Sequence, residues 1–200
     1  GAGAAVGLMA GRLVQVTVPA GSVAVPGLDP SAPMARLDGP PPAFAPLGDG
    51  RAALHLQLLA AAFAVGCAEA ARDMAAGYAK VREQFGRPIG WFQALKHMCA
   101  DMAVRAAMAR SQLCQAAAAL DAGDSDAPFH AAAAMRLAGQ AAIGNAAANI
   151  QVHGGIGMTD EESPHLCLKR AHLLSFVAPA DREVLLGDDP STAPHERREP

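Results

Sequence analysis

A chain of 200 residues, 52% hydrophobic and 18% charged, has the makeup of a globular protein of one domain or slightly more. Its net charge of −3 gives no electrostatic case for nucleic acid or an anionic membrane surface. Aromatics are only 4% of the residues, so Ala, Leu, Val and Met must fill the core, and helices are expected to approach closely.

The N-terminal "GAGAAVGLMAG" lacks a basic leader, reads as no signal peptide, and is too short to span a bilayer. Residues 6–18 read as two short strands around Ala10-Gly11, with Val14, Val16 and Val18 alternating with Gln15 and Thr17. The Pro- and Gly-rich stretch that follows is loop and edge-strand material. Residues 1–50 are therefore expected to be a partial β-domain remnant with a linker.

From Arg51 about 35 residues run without proline, "RAALHLQLLAAAFAVGCAEAARDMAAGYAKVREQF", and predict one long helix. A second is expected from Trp91 to Leu120, with Leu95, Met98, Met102, Ala106, Ala109, Leu113, Ala117 and Leu120 on its inner face and Asp101 paired with Arg105 outside. "DAGDSDAP" at 121–128 is a polar turn. A third helix runs from Phe129 to His153 and stops at Gly154-Gly155; a fourth starts at Ser163-Pro164, an N-cap followed by proline. The fold class is thus mainly α, an antiparallel four-helix bundle over residues 51–188, preceded by the β-rich remnant and followed by a frayed tail at 189–200. The first and third helices are apolar almost all round, so an oligomer that covers the surplus is expected.

Cys67, Cys99, Cys114 and Cys167 show no CxxC spacing and read as reduced core residues of a cytoplasmic protein. No metal-ligand spacing is present; His153 and His165 read as surface or helix-end residues.

Two stretches carry candidate chemistry. In "VREQFGRPIGWFQ", Gly86 reads as a helix C′ residue and Pro88 as a stop. The same turn also gathers Arg82, Phe85 and Gln93, a cation, a ring and an amide of the kind a nucleotide diphosphate needs. In "NIQVHGGIGMTDEESP", the glycines read either as a plain helix stop or as a place where backbone approaches an anion; the pattern is not the GxGxxG of a dinucleotide-binding βαβ unit.

Taken together, "YAKVREQFGRPIGWFQALKHMCADM" and "QVHGGIGMTDEESPHLCLKRA" resemble the two signatures of the C-terminal domain of acyl-CoA dehydrogenases. "GLDPSAPMARLDG" resembles the end of that family's middle β-domain, and the pattern is closest to actinobacterial-type members, several of which pair unlike subunits. The resemblance implies FAD as cofactor, an acyl-CoA substrate, a homo- or hetero-oligomer with another such subunit, and an electron-transfer partner. It implies that Arg82 contacts the pyrophosphate, Phe85 packs on the dinucleotide and Gln93 orients it. Gln151, Gly154 and Gly155 would contact it from a neighbouring subunit, and Thr159 would lie near the flavin or acyl end.

The catalytic position departs from that pattern. The family's usual glutamate falls 27 residues beyond Gln151, where this chain has Ala178. The family's alternative location, early in the first bundle helix, holds no acid: Leu56 and Phe63 stand there. Asp181 and Glu183 lie nearby as weak substitutes. Two functions are therefore expected to compete. One is FAD-dependent α,β-dehydrogenation of an acyl-CoA thioester by a fragment or short subunit of such an enzyme. The other is a non-catalytic subunit that holds FAD for an unlike partner.

Overall fold

Alanine repeated at helical spacing sets the architecture, because a methyl side chain lets two helix backbones lie against each other with little between them. The computed structural model describes residues 3–9, 12–18, 23–30, 32, 34–36, 44–48, 50–180 and 182–186. The expected tail at 189–200 and Asp181 lie outside the described residues.

Strands β1 (Gly3–Met9) and β2 (Arg12–Val18) pair antiparallel, with Gly3 opposite Val18 and Met9 opposite Arg12. Strands β3 (Val23–Val25) and β4 (Met34–Arg36) form a separate antiparallel pair. Strand β5 (Phe44–Pro46) adds to the other edge of β2, giving the order β1-β2-β5. The period-2 signal in β2 is partly realised: Val14 is buried, while Gln15 and Thr17 face out.

The bundle follows. Helix α1 spans Gly50–Val81, α2 Gln93–Ala122, α3 Ala127–His153 and α4 Pro164–Val177, and a short α5 (Arg182–Leu186), not expected from the sequence, comes after. Ala61, Ala64, Val65 and Ala68 of α1 meet Ala106 and Ala109 of α2 and Ala134, Met135, Ala138 and Ala142 of α3 in one cluster, joined by Ala171 and Ala178. A second cluster at the far end of α1 joins Ala71, Ala75 and Ala79 to Met102 and Val152. By composition α1 is long and apolar enough to cross a membrane, with a mean hydropathy of 1.5 over its best window. Here its alanine stripe is the inner face of the bundle.

Several expectations change. Helix α1 ends at Val81, short of Phe85, because Glu83–Gln84 (β6) turns back on Arg87–Pro88 (β7). Gly86 is therefore the second turn residue of a two-residue hairpin and not a helix cap: Phe85 has φ 54° and Gly86 φ 75°, the left-handed pair of a type I′ turn. On α2, Ala116 and Ala119 are buried and Ala117 is exposed. Arg105 turns inward to donate from Nη1 to Asn145 Oδ1 at 2.8 Å, in place of a surface pair with Asp101. Ser163 holds the N-cap position of α4 but makes no side-chain capping bond. His153 and His165 sit at helix ends as expected, yet both are buried. Cys67, Cys99 and Cys167 are only half-buried and Cys114 is exposed. The surplus apolar surface lies mainly on α1 (Leu59, Phe63) and α2 (Val104, Met108), with Phe129 alone of the large hydrophobics exposed on α3, whose buried residues run along its length.

Asn145 is the polar node of the bundle. Its Nδ2 donates to Ala68 O at 3.0 Å and to Met102 O at 2.9 Å, so one wholly buried amide ties α1, α2 and α3. One turn on, Asn149 is equally buried, and neither amide atom of its side chain has a hydrogen-bond partner.

Candidate functional site: a cleft where two helices end

The ends of α1 and α3 converge on a cleft of about 330 Å³. One wall is Tyr78 in the last turn of α1, then Arg82 and Gln84 beyond it and Ile89 in the turn before α2. The other is Val152 and His153 at the end of α3, then Gly154, Gly155 and Ile156. Arg82 and the paired glycines, 72 positions apart, thus meet within one protomer. A neighbouring subunit is not needed to bring them together, contrary to the expectation from the sequence.

Local chemistry explains each wall. The Arg82 amide still donates to Tyr78 O at 2.9 Å, continuing the helix by one bond, while its carbonyl accepts from Ile89 N at 2.8 Å. The guanidinium-bearing residue is thereby clamped between the helix end and the turn that leads into α2. Across the cleft, Gly154 has φ 68° and ψ −145°, a conformation essentially restricted to glycine. Its N–H points back to the carbonyls of Ile150 and Gln151, so Gly154 caps α3 and does not offer that N–H to a ligand. A Cβ built on Gly154 or Gly155 would meet nothing within 4 Å, so these residues keep open the space in front of them.

The electrostatics favour an anion through a single group. Arg82 is the arginine of the lining, and no carboxylate is part of it among the described residues. Two helix C-termini end here, and their partial negative charge opposes an anion. A charge-assisted bond from Arg82 must therefore supply the attraction.

Of the other expected residues, Phe85 is 89% exposed at the tip of the hairpin, edge-on to Phe92 with ring centroids 6.0 Å apart. Gln93 opens α2 and Gln151 lies in the last turn of α3, both exposed and outside the cleft lining. Thr159 is exposed, and its hydroxyl donates to Ile156 O at 2.9 Å, closing its own turn. Tyr78, Gln84, Ile89 and His153 were not anticipated from sequence. The i,i+4 spacing of Tyr78 and Arg82 and the adjacency of His153 to the glycines were the available signals.

At the catalytic position, Ala178 is wholly buried, capping α4 with its N–H on Leu174 O at 3.0 Å. Leu56 is half-buried and Phe63 half-exposed on α1; Glu183 is exposed on α5. None of these replaces a buried carboxylate there. A second cleft of about 330 Å³ lies between α1 and α4, lined by Phe63, Cys67, Cys167 and Arg170 among others. Burial pushes both thiols up from their ordinary pKa. No group of His, Cys, Asp and Glu suited to a metal ion occurs among the described residues.

Comparison with known proteins agrees with this architecture. Residues 51–178 match the family described as acyl-CoA dehydrogenase, C-terminal domain. The chain is 45% identical over 128 residues to acyl-CoA dehydrogenase IpdE2 of Mycobacterium tuberculosis, covering 64% of this chain and 38% of that one. It is 50% identical over 113 residues to acyl-CoA dehydrogenase FadE34 of the same organism, covering 56% of this chain and 16% of that one. The chain thus spans less than half the length of these relatives. Among solved structures, the ChsE4-ChsE5 complex from Mycobacterium tuberculosis superposes with a TM-score of 0.70 at 25% identity, over 97% of this chain and 60% of that one. The Tcur3481-Tcur3483 steroid ACAD superposes with a TM-score of 0.74 at 27% identity, over 88% and 51%. The bundle, the meeting of the two motifs at one cleft and these matches together place the chain in the acyl-CoA dehydrogenase family.

Proposed function

We propose that this chain supplies the diphosphate-binding side of an FAD site in an acyl-CoA dehydrogenase that carries out α,β-dehydrogenation of an acyl-CoA thioester. The observation that carries the reading is the convergence of Arg82 with the Gly154–Gly155 wall on one open cleft, lined by no carboxylate among the described residues. The cleft fits the group: a guanidinium pairs with phosphate oxygens, and the missing side chains at the glycines leave room for a phosphate to approach backbone. Bound FAD would accept the hydride from the β-carbon of the thioester. Arg82 holds the pyrophosphate, Phe85 covers the dinucleotide from the hairpin tip, and Gln93 and Gln151 orient it from the exposed helix ends. Gly154 and Gly155 admit it to the wall, and Thr159 stands toward the flavin or acyl end.

The α-proton needs a base, which typically contributes about 10²–10⁴-fold in rate. Ala178 favours a second reading, in which this chain holds the cofactor for an unlike subunit that brings the carboxylate. Structural likeness to the two-component ChsE4-ChsE5 complex supports an assembly of that kind. Electrons then leave to a separate acceptor.

The test is flavin absorbance of the purified chain, alone and co-expressed with a glutamate-bearing acyl-CoA dehydrogenase subunit. Flavin bound in the co-expressed complex and lost with Arg82→Ala supports the cleft reading. Bleaching by an acyl-CoA only in the complex supports the cofactor-holding role, and bleaching by this chain alone rules that role out. Colourless protein in both preparations overturns the proposal.

A further inference from the structure

We infer that Tyr78 and His153 are a positioning pair whose ring stack sets the spacing between Arg82 and the glycine wall, and so makes the cleft select a diphosphate over a monophosphate. This rests on the reading of the cleft as a diphosphate site. The two rings lie nearly parallel, with centroids 4.1 Å apart and planes at 22°. Each belongs to a different wall, and both line the cleft.

Each ring is tied to the functional group on its own side. Tyr78 is one helical turn before Arg82, and its carbonyl accepts the Arg82 amide. Moving the Tyr78 turn therefore moves Arg82. His153 directly precedes Gly154. Its Nδ1 lies 2.9 Å from Asn149 O, and since a carbonyl only accepts, Nδ1 carries the proton and the ring's rotation is fixed. The turn beyond folds onto the same residue: a Cβ on Gly157 would come within 2.9 Å of His153 Cβ. The stack is thus a spacer joining the α1 end to the α3 end.

A spacer of fixed thickness matters for a ligand that must reach both walls. Two linked phosphates can engage Arg82 with one group and approach the glycine wall with the other. One phosphate can satisfy only one wall. His153 is buried and Tyr78 half-buried against the Ala71, Ala75 and Ala79 cluster, and both still line the space between the two walls.

The experiment measures ADP and AMP binding to the full chain by calorimetry, for wild type, His153→Phe, His153→Ala and Tyr78→Leu. The wild type is expected to prefer ADP by about tenfold, the worth of one charge-assisted contact. His153→Phe, which keeps a stacked ring, should hold that preference. His153→Ala and Tyr78→Leu should reduce it to about threefold or less, because Arg82 is no longer held at the matching distance. General loosening of the fold would weaken both nucleotides alike and leave the ratio unchanged. A ratio preserved in His153→Ala and Tyr78→Leu overturns the inference while leaving the diphosphate reading intact. So does a His153→Phe variant as unselective as His153→Ala. Wild-type protein that binds neither ADP nor FAD overturns both. If His153→Ala fails to fold, Tyr78→Leu, which keeps an apolar side chain at a half-buried position, decides the matter.

Discussion

Arg170 holds Asp29 across 141 positions of sequence, with Nε donating to Oδ2 at 2.8 Å and Nη2 to Oδ1 at 3.4 Å. Asp29 is only 1% exposed, and the Arg170 guanidinium also lies 5.6 Å from the Phe63 ring centroid. One arginine therefore joins the segment before the bundle to α4 and α1. Its carboxylate partner pushes the Arg170 pKa upward.

Removing that arginine leaves a buried carboxylate without its forked donor. Arg170→Ala should destabilise the chain by about 3 kcal/mol, mostly the cost of a buried charge poorly compensated. Arg170→Ala combined with Asp29→Asn should recover part of the loss. Urea denaturation of the three proteins checks this; strict additivity of the two changes would contradict the pairing.

Asn145 and Asn149 are one turn apart, equally buried and oppositely satisfied. Asn145→Leu removes the amide that donates to the Ala68 and Met102 carbonyls and accepts from the Arg105 guanidinium, and should cost about 2–4 kcal/mol. Asn149→Leu removes an amide that has no partner to lose, and should change stability by about 1 kcal/mol or less. Denaturation midpoints of the two variants give the comparison directly.

Phe85 keeps a left-handed backbone that most bulky residues avoid, and its ring is almost fully in solvent. Phe85→Asn places Asn-Gly in a type I′ turn, the pairing that turn favours. Stability should rise by about 1 kcal/mol, and FAD affinity should fall. Thermal melting and flavin retention, measured on the same preparation, test both halves.

The Glu69–Arg110 contact between α1 and α2 gives a pH signature. Its hydrogen bond with Arg110 lowers the Glu69 pKa below the ordinary glutamate range. A folded pKa below the unfolded one gives stability that is present above the unfolded value and lost as pH falls through the folded value. The melting temperature of Arg110→Ala should therefore lie below wild type at neutral pH, and the gap should close on acidification through the carboxylate range. A gap independent of pH would assign the effect to packing instead.

The sequence showed the bundle well because helical periodicity survives in residues such as Leu95, Met98 and Met102. It misplaced the end of α1. Glu83 and Gln84 have no strong strand preference, and only their pairing with Arg87 and Pro88 decides the hairpin. Arg82 and the glycine pair were legible as motifs of one site, but not their meeting within one protomer, which depends on parallel packing of α1 against α3. Tyr78 and His153 were invisible as a pair, since a ring stack between distant residues leaves no spacing signal. Arg105 looked like a surface partner for Asp101 because sequence spacing does not reveal the buried amide of Asn145.

The interior of this bundle is made largely of methyl groups, from Ala61 on α1 to Ala142 on α3. Such an interior tolerates change asymmetrically. Truncation to glycine deletes little volume, whereas each added carbon must push whole backbones apart. Natural variants should drift freely on the outer faces and meet steric resistance at these alanines, whose tight spacing sets how closely α1, α2 and α3 approach one another.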